Sequence, residues 1–378
     1  RFMAEQDAMY RKWLPIIAND PAYNPKLSQD GAGFQFEVDR HNSWQPLHWK
    51  PIPRLVSFPL HSLPISQQRL DTPLSLMHEV GLVEGQINYR ASSYVDLARF
   101  APDALIVHRQ ISAGTQEWLR RLPQGDALFK VFDLDGWLPA MPASAAERND
   151  PPQAVAAALR ATLSHVDRLV VASDVLAEQC AGLHSDIRVM PARLDPRLWS
   201  ALNTLRGTGD KMRIGWIGSA ADVGDLEVIH KVIGQLADRV EWVFYGYCPP
   251  SLRPLVTEYH VAVQAPFFAQ KLASLNLDLA LLPMADNVWN RTISPRRVLE
   301  YGACGVPVIC SDLLSTRDVA AVTRVENKPK LWREAIENHL NDRAASAALG
   351  DALHAYVREK GFWDEETLLQ QARIWLPD

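Results

Sequence analysis

The sequence predicts an α/β protein of two Rossmann-like domains facing one another across a cleft, preceded by an N-terminal helical arm. Three observations carry this prediction. Short apolar runs alternate with helical patterns in two successive series, the cadence of a parallel sheet covered by helices. A polar linker from Asn203 to Asp210, containing Gly207 and Gly209, separates the two series. The length of 378 residues, with 47% hydrophobic content, exceeds one ordinary core and is ample for two.

The arm comes first. Phe2, Met3, Met9, Tyr10, Trp13 and Leu14 recur at helical spacing, and Pro15 is expected to end or kink that helix. From Asn19 to Pro53 the chain is rich in Asn, Asp, Gly and Pro around Trp44 and Trp49, an irregular segment that completes an arm over 1–52. The first domain, 53–205, is expected to carry strands at LVSF, ALIV, ALFKVFDLD and RLVVAS, with helices at Leu74 to Val80 and Val155 to Leu163. The second domain, 206–360, starts with MRIGWIGS, then a helix from Asp225 to Leu236, VEWVFYG, DLALLPM, a helix from Pro295 to Cys304, and VPVICSD. Residues 361–378 are expected to form a helix packing back on the first domain. Parallel strands offer ligands their carboxyl ends, so the chemistry is expected between the halves.

Composition narrows the function classes. A formal charge of −5 and a pI near 6.1 argue against a nucleic-acid partner, which favours a basic field. Cys180, Cys248, Cys304 and Cys310 form no CxxC pair and read as free thiols of a reducing compartment. No apolar run reaches the roughly 18 residues of a membrane span, and the charged first residues do not read as a signal peptide, so a cytoplasmic location is expected. The chain opens on Arg1, leaving room for upstream domains.

The strongest local feature is WNRTISPRRVLEYGACGVPVICSD, Trp289 to Asp312. Ser294 and Pro295 have the form of an N-cap and first helical residue, and Gly305 is placed to stop the helix. A helix start with free N–H groups, flanked by Arg291, Arg296 and Arg297, suits a diphosphate. Glu300 suits ribose hydroxyls, or an i to i+4 ion pair with Arg296. Gly218 and Ser219 end a strand in RIGWIGSAADVGDLEVI, where a small-residue turn allows backbone to approach phosphate or is merely tight. In the first half, His108 and Arg109 follow one strand, and Asp133 and Asp135 another. Asp135 is the first choice as a general base or acceptor-orienting residue, with His108 beside it; capping or loop roles are the alternative. Asp133 and Asp135 also spell DxD, a pattern capable of holding a divalent ion.

These motifs resemble the sugar-nucleotide half of the GT-B glycosyltransferases, specifically the large retaining family that includes many bacterial surface-polysaccharide transferases. Asn290, Ser294, Glu300, Tyr301, Ala303, Gly305, Pro307, Ser311 and Asp312 match the family pattern, with Trp289 and Arg297 as conservative replacements. The resemblance covers most of the chain from about Arg54. It implies a GT-B fold, with Glu300 holding the ribose and Asn290, Arg291, Ser294 and Arg297 near the diphosphate. It further implies that Gly218, Ser219 and Asp222 lie in the first phosphate turn, and Gly246 and Phe267 around the base; Phe267 reads equally as core. Asp222 stands where relatives carry a histidine, Thr292 where many carry a second acidic residue, and Ile293 where a subgroup carries lysine.

The implied reaction moves a sugar from a UDP-, dTDP- or GDP-linked donor to a hydroxyl of a glycan, lipid-linked or protein acceptor in surface-glycan synthesis. Arg291 would take charge on the leaving diphosphate, as in metal-independent GT-B enzymes, with no metal and no cofactor beyond the donor. The implied location is the cytoplasm or the inner membrane surface. Flagellin-type protein glycosylation and a catalytically weak sugar-nucleotide-binding module of a longer chain are the alternatives. An NAD-dependent enzyme is less favoured, because neither half opens with GxGxxG.

Overall fold

The computed structural model describes residues 2–29, 33–38, 52–60, 64–122, 128–142, 150–202, 204–317 and 319–378. Two six-stranded sheets, every pairing parallel, form the two halves. The first consists of β1 (Arg54–Phe58), β2 (Glu84–Ile87), β3 (Ala104–His108), β4 (Phe129–Leu134), β5 (Arg168–Val171) and β6 (Ile187–Val189), in the order β2-β1-β3-β4-β5-β6. The second consists of β7 (Arg213–Gly218), β8 (Glu241–Gly246), β9 (Glu258–Val261), β10 (Leu279–Leu282), β11 (Val308–Ser311) and β12 (Thr323–Val325), in the order β12-β11-β10-β7-β8-β9. Strand order reverses between β1 and β3 and between β7 and β10, and crevices open at such reversals.

The central strands are the ones with continuous apolar runs, because both faces are covered. Leu105 and Val107 pack on one face of the first sheet, and Ala104 and Ile106 on the other. In the second sheet Ile214 and Trp216 face one cluster, and Ile217 and Val243 the other. Strands β2, β9 and β12 read EGQI, EYHV and TRV and were not expected from the sequence. They lie at sheet edges, where burial is partial and polar side chains are tolerated.

The arm helix runs Phe2–Ala18 straight through Pro15, so Pro15 does not end it. The ring removes the ladder bond to the Arg11 carbonyl, and at the helix end Asn19 Nδ2 donates to the Pro15 carbonyl at 3.2 Å. The helix packs on Tyr94–Phe100, with Tyr10 and Tyr94 edge to face. Leu27 and Phe36 form an antiparallel bridge; Trp44 and Trp49 lie outside the described residues. The expected Asp225 to Leu236 helix is divided into Ala220–Asp222, Val223–Leu226 and His230–Leu236.

At the far end of the chain, Trp363, Leu368, Ala372 and Trp375 join Leu55, Leu74 and Met77 in one cluster, so the Glu365–Trp375 helix packs on the first sheet.

His339 ties the outer layer of the second half together. Its Nδ1 lies 2.7 Å from Ser346 Oγ and its Nε2 3.0 Å from Thr323 Oγ1. Burial pushes its pKa below the ordinary imidazole value. Depressed in the fold, this group contributes stability above its unfolded pKa of about 6.5, lost as pH falls through the folded value. The melting temperature of His339→Gln should therefore fall less between pH 7 and 5 than that of the parent; parallel curves would dismiss the contribution.

Candidate functional site

The first half of the site is built at the ends of β3 and β4. His108 is fully buried; its Nδ1 sits 3.2 Å from Ser66 Oγ and its Nε2 3.3 Å from Asp135 Oδ1. Arg109 follows with φ of +58°, a left-handed conformation that costs a non-glycine residue about 1 kcal/mol or more. That turn aims its guanidinium in a bidentate pair at Asp135 and lays it over the Trp289 ring, 5.4 Å from the centroid. Asp135 is buried, which would raise its pKa, but Arg109 and His108 overcome this and hold the carboxyl well below its ordinary range. A carboxylate so acidic, with both oxygens on Arg109, is a poor proton acceptor. In this geometry Asp135 anchors Arg109 and His108, which weighs against the general-base half of its expected role and leaves the acceptor-orienting half open.

Asp133 is held by Arg69, Nε and Nη2 donating at 2.6 and 2.8 Å, while Arg69 Nη1 donates to Met190 O at 3.1 Å. Both carboxylates of the DxD pattern are thus paired with arginines. Arg69 and its neighbour Gln68 sit on a π-helical turn, Gln67–Asp71, inserted between helical segments Pro64–Ser66 and Thr72–Glu79. The extra residue per turn is a device frequent at functional sites. Here it places Gln68 against Arg296 of the second half, which donates to Gln68 Oε1 across the cleft. The local pattern of QQRL held no sign of this, so Ser66 and Gln68 were missed as site residues; Arg69 was legible only as one of several arginines of the first half able to face the cleft.

The second half centres on the Arg296–Ala303 helix. It begins one residue later than expected: Pro295 is the N-cap, and Ser294 makes no cap bond, leaving its Oγ buried and without a hydrogen-bond partner among the described residues. Its end is a Schellman motif, with Gly305 at φ of +72°, Gly305 N–H donating to Gly302 O at 2.9 Å and Val306 N–H to Tyr301 O at 3.0 Å. Glu300 has no exposed surface. Arg297 Nη1 donates to its Oε2 at 2.6 Å, and Arg296 Nε lies 3.4 Å from its Oε1, which has no hydrogen-bond partner among the described residues. The expected ion pair of Glu300 with Arg296 is present and shared with Arg297. Burial lowers the Arg296 pKa, only partly offset by Glu300, so its positive charge is not fully compensated. Arg297 is raised: burial lowers it, but Glu300, Tyr301 and Asp222 outweigh that. Its guanidinium lies over Phe268, 5.3 Å from the centroid, and Phe268 stacks on Tyr245.

Other expected site residues are placed differently. Arg291 is half-exposed and paired with Asp286 at 2.6 and 2.8 Å, outside the Arg296–Glu300–Arg297 cluster. Asn290 is buried and spends both amide hydrogens internally, on Asp225 Oδ1 at 2.7 Å and Ala285 O at 2.9 Å. It links the β7 and β10 sides of the crevice. Ser219 and Asp222 form a capping box; Asp222 Oδ2 accepts from Ser219 N–H at 2.6 Å and Oγ at 2.8 Å. Gly218 and Gly246 are register partners at the ends of β7 and β8, and Gly246 has φ of +96°. A Cβ on Gly246 would lie 2.3 Å from Gly218 O, so glycine is required by that approach. Phe267 is 57% exposed, which removes it from the core, and its neighbour Phe268 takes the packed position.

Thr292 is the other surprise. Its Oγ1 accepts from Trp137 N–H at 3.1 Å, and its carbonyl accepts from Ser173 Oγ at 2.7 Å, both in the first half. Trp289 lies against Gly136 so closely that an added Cβ would be 2.7 Å from its ring. The short Val288–Thr292 helix therefore docks on the turn following Asp135. Gly136→Ala should push the halves apart here, destabilising by about 1–3 kcal/mol as an overpacked contact. Faster proteolysis and a larger radius of gyration in X-ray scattering would register it; an unchanged radius and stability would refute the docking.

No known protein-family profile matches the chain, and no curated protein matches it in sequence. Solved structures do. A sucrose-phosphate synthase from Thermosynechococcus elongatus superposes with a TM-score of 0.64 at 12% identity, covering 85% of this chain and 98% of its own. A glycosyltransferase from Rickettsia africae gives 0.61 at 10% identity, covering 86% and 98%. Anabaena HepE, solved in complex with UDP and glucose, gives 0.56 at 13% identity, covering 85% and 98%. At these identities the likeness is one of architecture, and together with the two facing parallel sheets it establishes that this chain has the GT-B fold.

Proposed function

We propose that the chain transfers a sugar from a nucleoside diphosphate sugar to a hydroxyl acceptor. The observation that carries this is the cluster of Arg296, Arg297 and fully buried Glu300 on one helix start, with Ser294 Oγ and Glu300 Oε1 buried and without a hydrogen-bond partner among the described residues, Oε1 lying only at ion-pair distance from Arg296. Unmatched polar atoms beside an incompletely compensated guanidinium suit a ligand that is anionic at one end and hydroxylated at the other. A nucleoside diphosphate is both. The diphosphate takes Arg296, Arg297 and the first free N–H groups of the helix; a ribose hydroxyl donates to Glu300 Oε1. As the bond from the anomeric carbon to the diphosphate oxygen breaks, the electron pair leaves with the diphosphate and preorganised arginines stabilise that charge; the acceptor oxygen bonds to the anomeric carbon, and its proton passes to the departing diphosphate. Arg296 and Arg297 replace Arg291 in this role. HepE, of the same fold, was solved with UDP and glucose, which supports the donor class.

A hexosyl group, metal independence, and acceptors in cytoplasmic or membrane-surface glycan synthesis complete the reading. Thermal shifts with UDP, dTDP, GDP and CMP, with and without EDTA, test it. One nucleotide should raise the melting temperature of the parent, unaffected by EDTA, and raise that of Arg297→Ala much less; no shift with any nucleotide would reject donor binding. Thr292 and Asp222 are spent on internal bonds, which favours a second reading as a nucleotide-binding module of weak activity. Nucleotide binding without sugar transfer or hydrolysis would select it.

A further inference from the structure

The two crossovers between the halves run side by side. Leu194 N–H donates to Gly361 O at 2.8 Å, Trp363 N–H to Leu194 O at 3.1 Å, and Arg193 Nη1 to Lys360 O at 2.6 Å. Behind them is a cavity of ≈ 10 Å³, whose lining includes Gln68, Arg69, Arg193, Trp363 and Gln371. That is space for about one oxygen atom. Beside it, sharing Met190, Pro191 and Arg193, lies an open groove of ≈ 270 Å³ that also includes Arg373 and Ile374. Three polar atoms of the cavity lining are buried without a hydrogen-bond partner among the described residues: Arg193 Nε, Trp363 Nε1 and Gln371 Oε1. Gln371 is 1% exposed and Trp363 5%.

We infer that this cavity and groove form a binding site for a small hydroxylated organic anion, separate from the cleft. The residues that carry these two N–H donors and one carbonyl acceptor line the same one-atom space, and a hydroxyl, which accepts twice and donates once, matches all three. A carboxylate oxygen would leave Gln371 Oε1 unmatched, and a methyl would leave all three unmatched. In the groove, the Arg193 and Arg373 guanidinium groups suit the anionic end, and Met190, Pro191 and Ile374 suit a short carbon skeleton. Burial lowers the Arg193 pKa, against the raising influence of Asp364, Tyr356 and Glu366. The cavity wall is also the cleft wall: Gln68 accepts from Arg296, and Arg69 holds Asp133. Occupancy at the crossovers therefore bears on the cleft through two adjacent residues.

Isothermal titration of the full chain at constant ionic strength, with glycerol 3-phosphate, lactate and glucose 6-phosphate, tests the assignment. Inorganic phosphate and propionate, which lack an alcohol hydroxyl, are the controls. At least one hydroxylated probe should bind more tightly than either control. Its affinity should fall about tenfold in Trp363→Phe and in Gln371→Met, the loss of one buried hydrogen bond. Arg373→Ala, on the exposed rim, should also weaken it and removes no core side chain, so it carries the test if the buried variants fail to fold. Binding by none of the three, or binding indifferent to all these variants, overturns the proposal and leaves the cavity to a water molecule. A probe that loses affinity in Arg297→Ala instead sits in the cleft and equally overturns it.

Discussion

Glu300→Gln is expected to weaken binding of the preferred nucleotide by about tenfold to a hundredfold while leaving the fold intact. An ionised carboxylate accepts hydrogen bonds at both oxygens, so Glu300 can take Arg297 on Oε2 and a ribose hydroxyl on Oε1 together. Glutamine has the same shape but only one acceptor oxygen. Turned toward Arg297 it offers the ribose an amide hydrogen in place of a lone pair; turned the other way, it sets donor against donor at Arg297. Either orientation loses a charge-assisted bond worth about 1.5–3 kcal/mol. Removing a negative charge near the phosphates works in the opposite direction. That gain is smaller, because the carboxylate is already largely neutralised by its two arginines. Calorimetric titration with the nucleotide that most stabilises the parent gives the answer, and equal affinities would take Glu300 out of the ribose site.

Asp133→Ala should produce the largest loss of stability, about 3–5 kcal/mol, because it leaves the Arg69 guanidinium buried without its carboxylate. Two hydrogen bonds vanish at once, and among the described residues the Met190 carbonyl is the acceptor that remains. The double variant Arg69→Met, Asp133→Ala removes the unpaired charge and should recover a substantial part of the loss, since the cost of breaking such a pair exceeds its net contribution. Urea denaturation of the single and double variants measures both. If the single variant loses less than about 1 kcal/mol, water reaches Arg69 and the pair is not sealed as the geometry implies.

The halves of the protein were legible to different depths. Apolar runs such as ALIVH and RIGWIG announced central strands, since only strands covered on both faces need continuous hydrophobicity. The edge strands EGQI, EYHV and TRV had no such signature, and register with a neighbour alone makes them strands. Around the site, Arg296, Arg297 and Glu300 could be read from spacing on one helix. The bond between Gln68 and Arg296 could not, because a π-helical turn and a partner more than two hundred residues away are invisible to local pattern.

What the sequence determined by itself was therefore the plan of two helix-covered parallel sheets, the cleft between them, and the helix start from Pro295 to Gly305 as the charged end of the second half. These follow from periodicity and from the chemistry of adjacent residues. What tertiary structure alone decided was the use of each charge. Arg291 and Arg296 are chemically alike and five residues apart, yet one pairs with Asp286 near solvent and the other crosses to Gln68. Asn290, Thr292 and Asp135 carry groups suited to ligands, but neighbours brought in by folding take up their hydrogen-bonding capacity. A side chain's functional groups are written in the sequence; whether they are left over for a ligand depends on every partner the fold supplies.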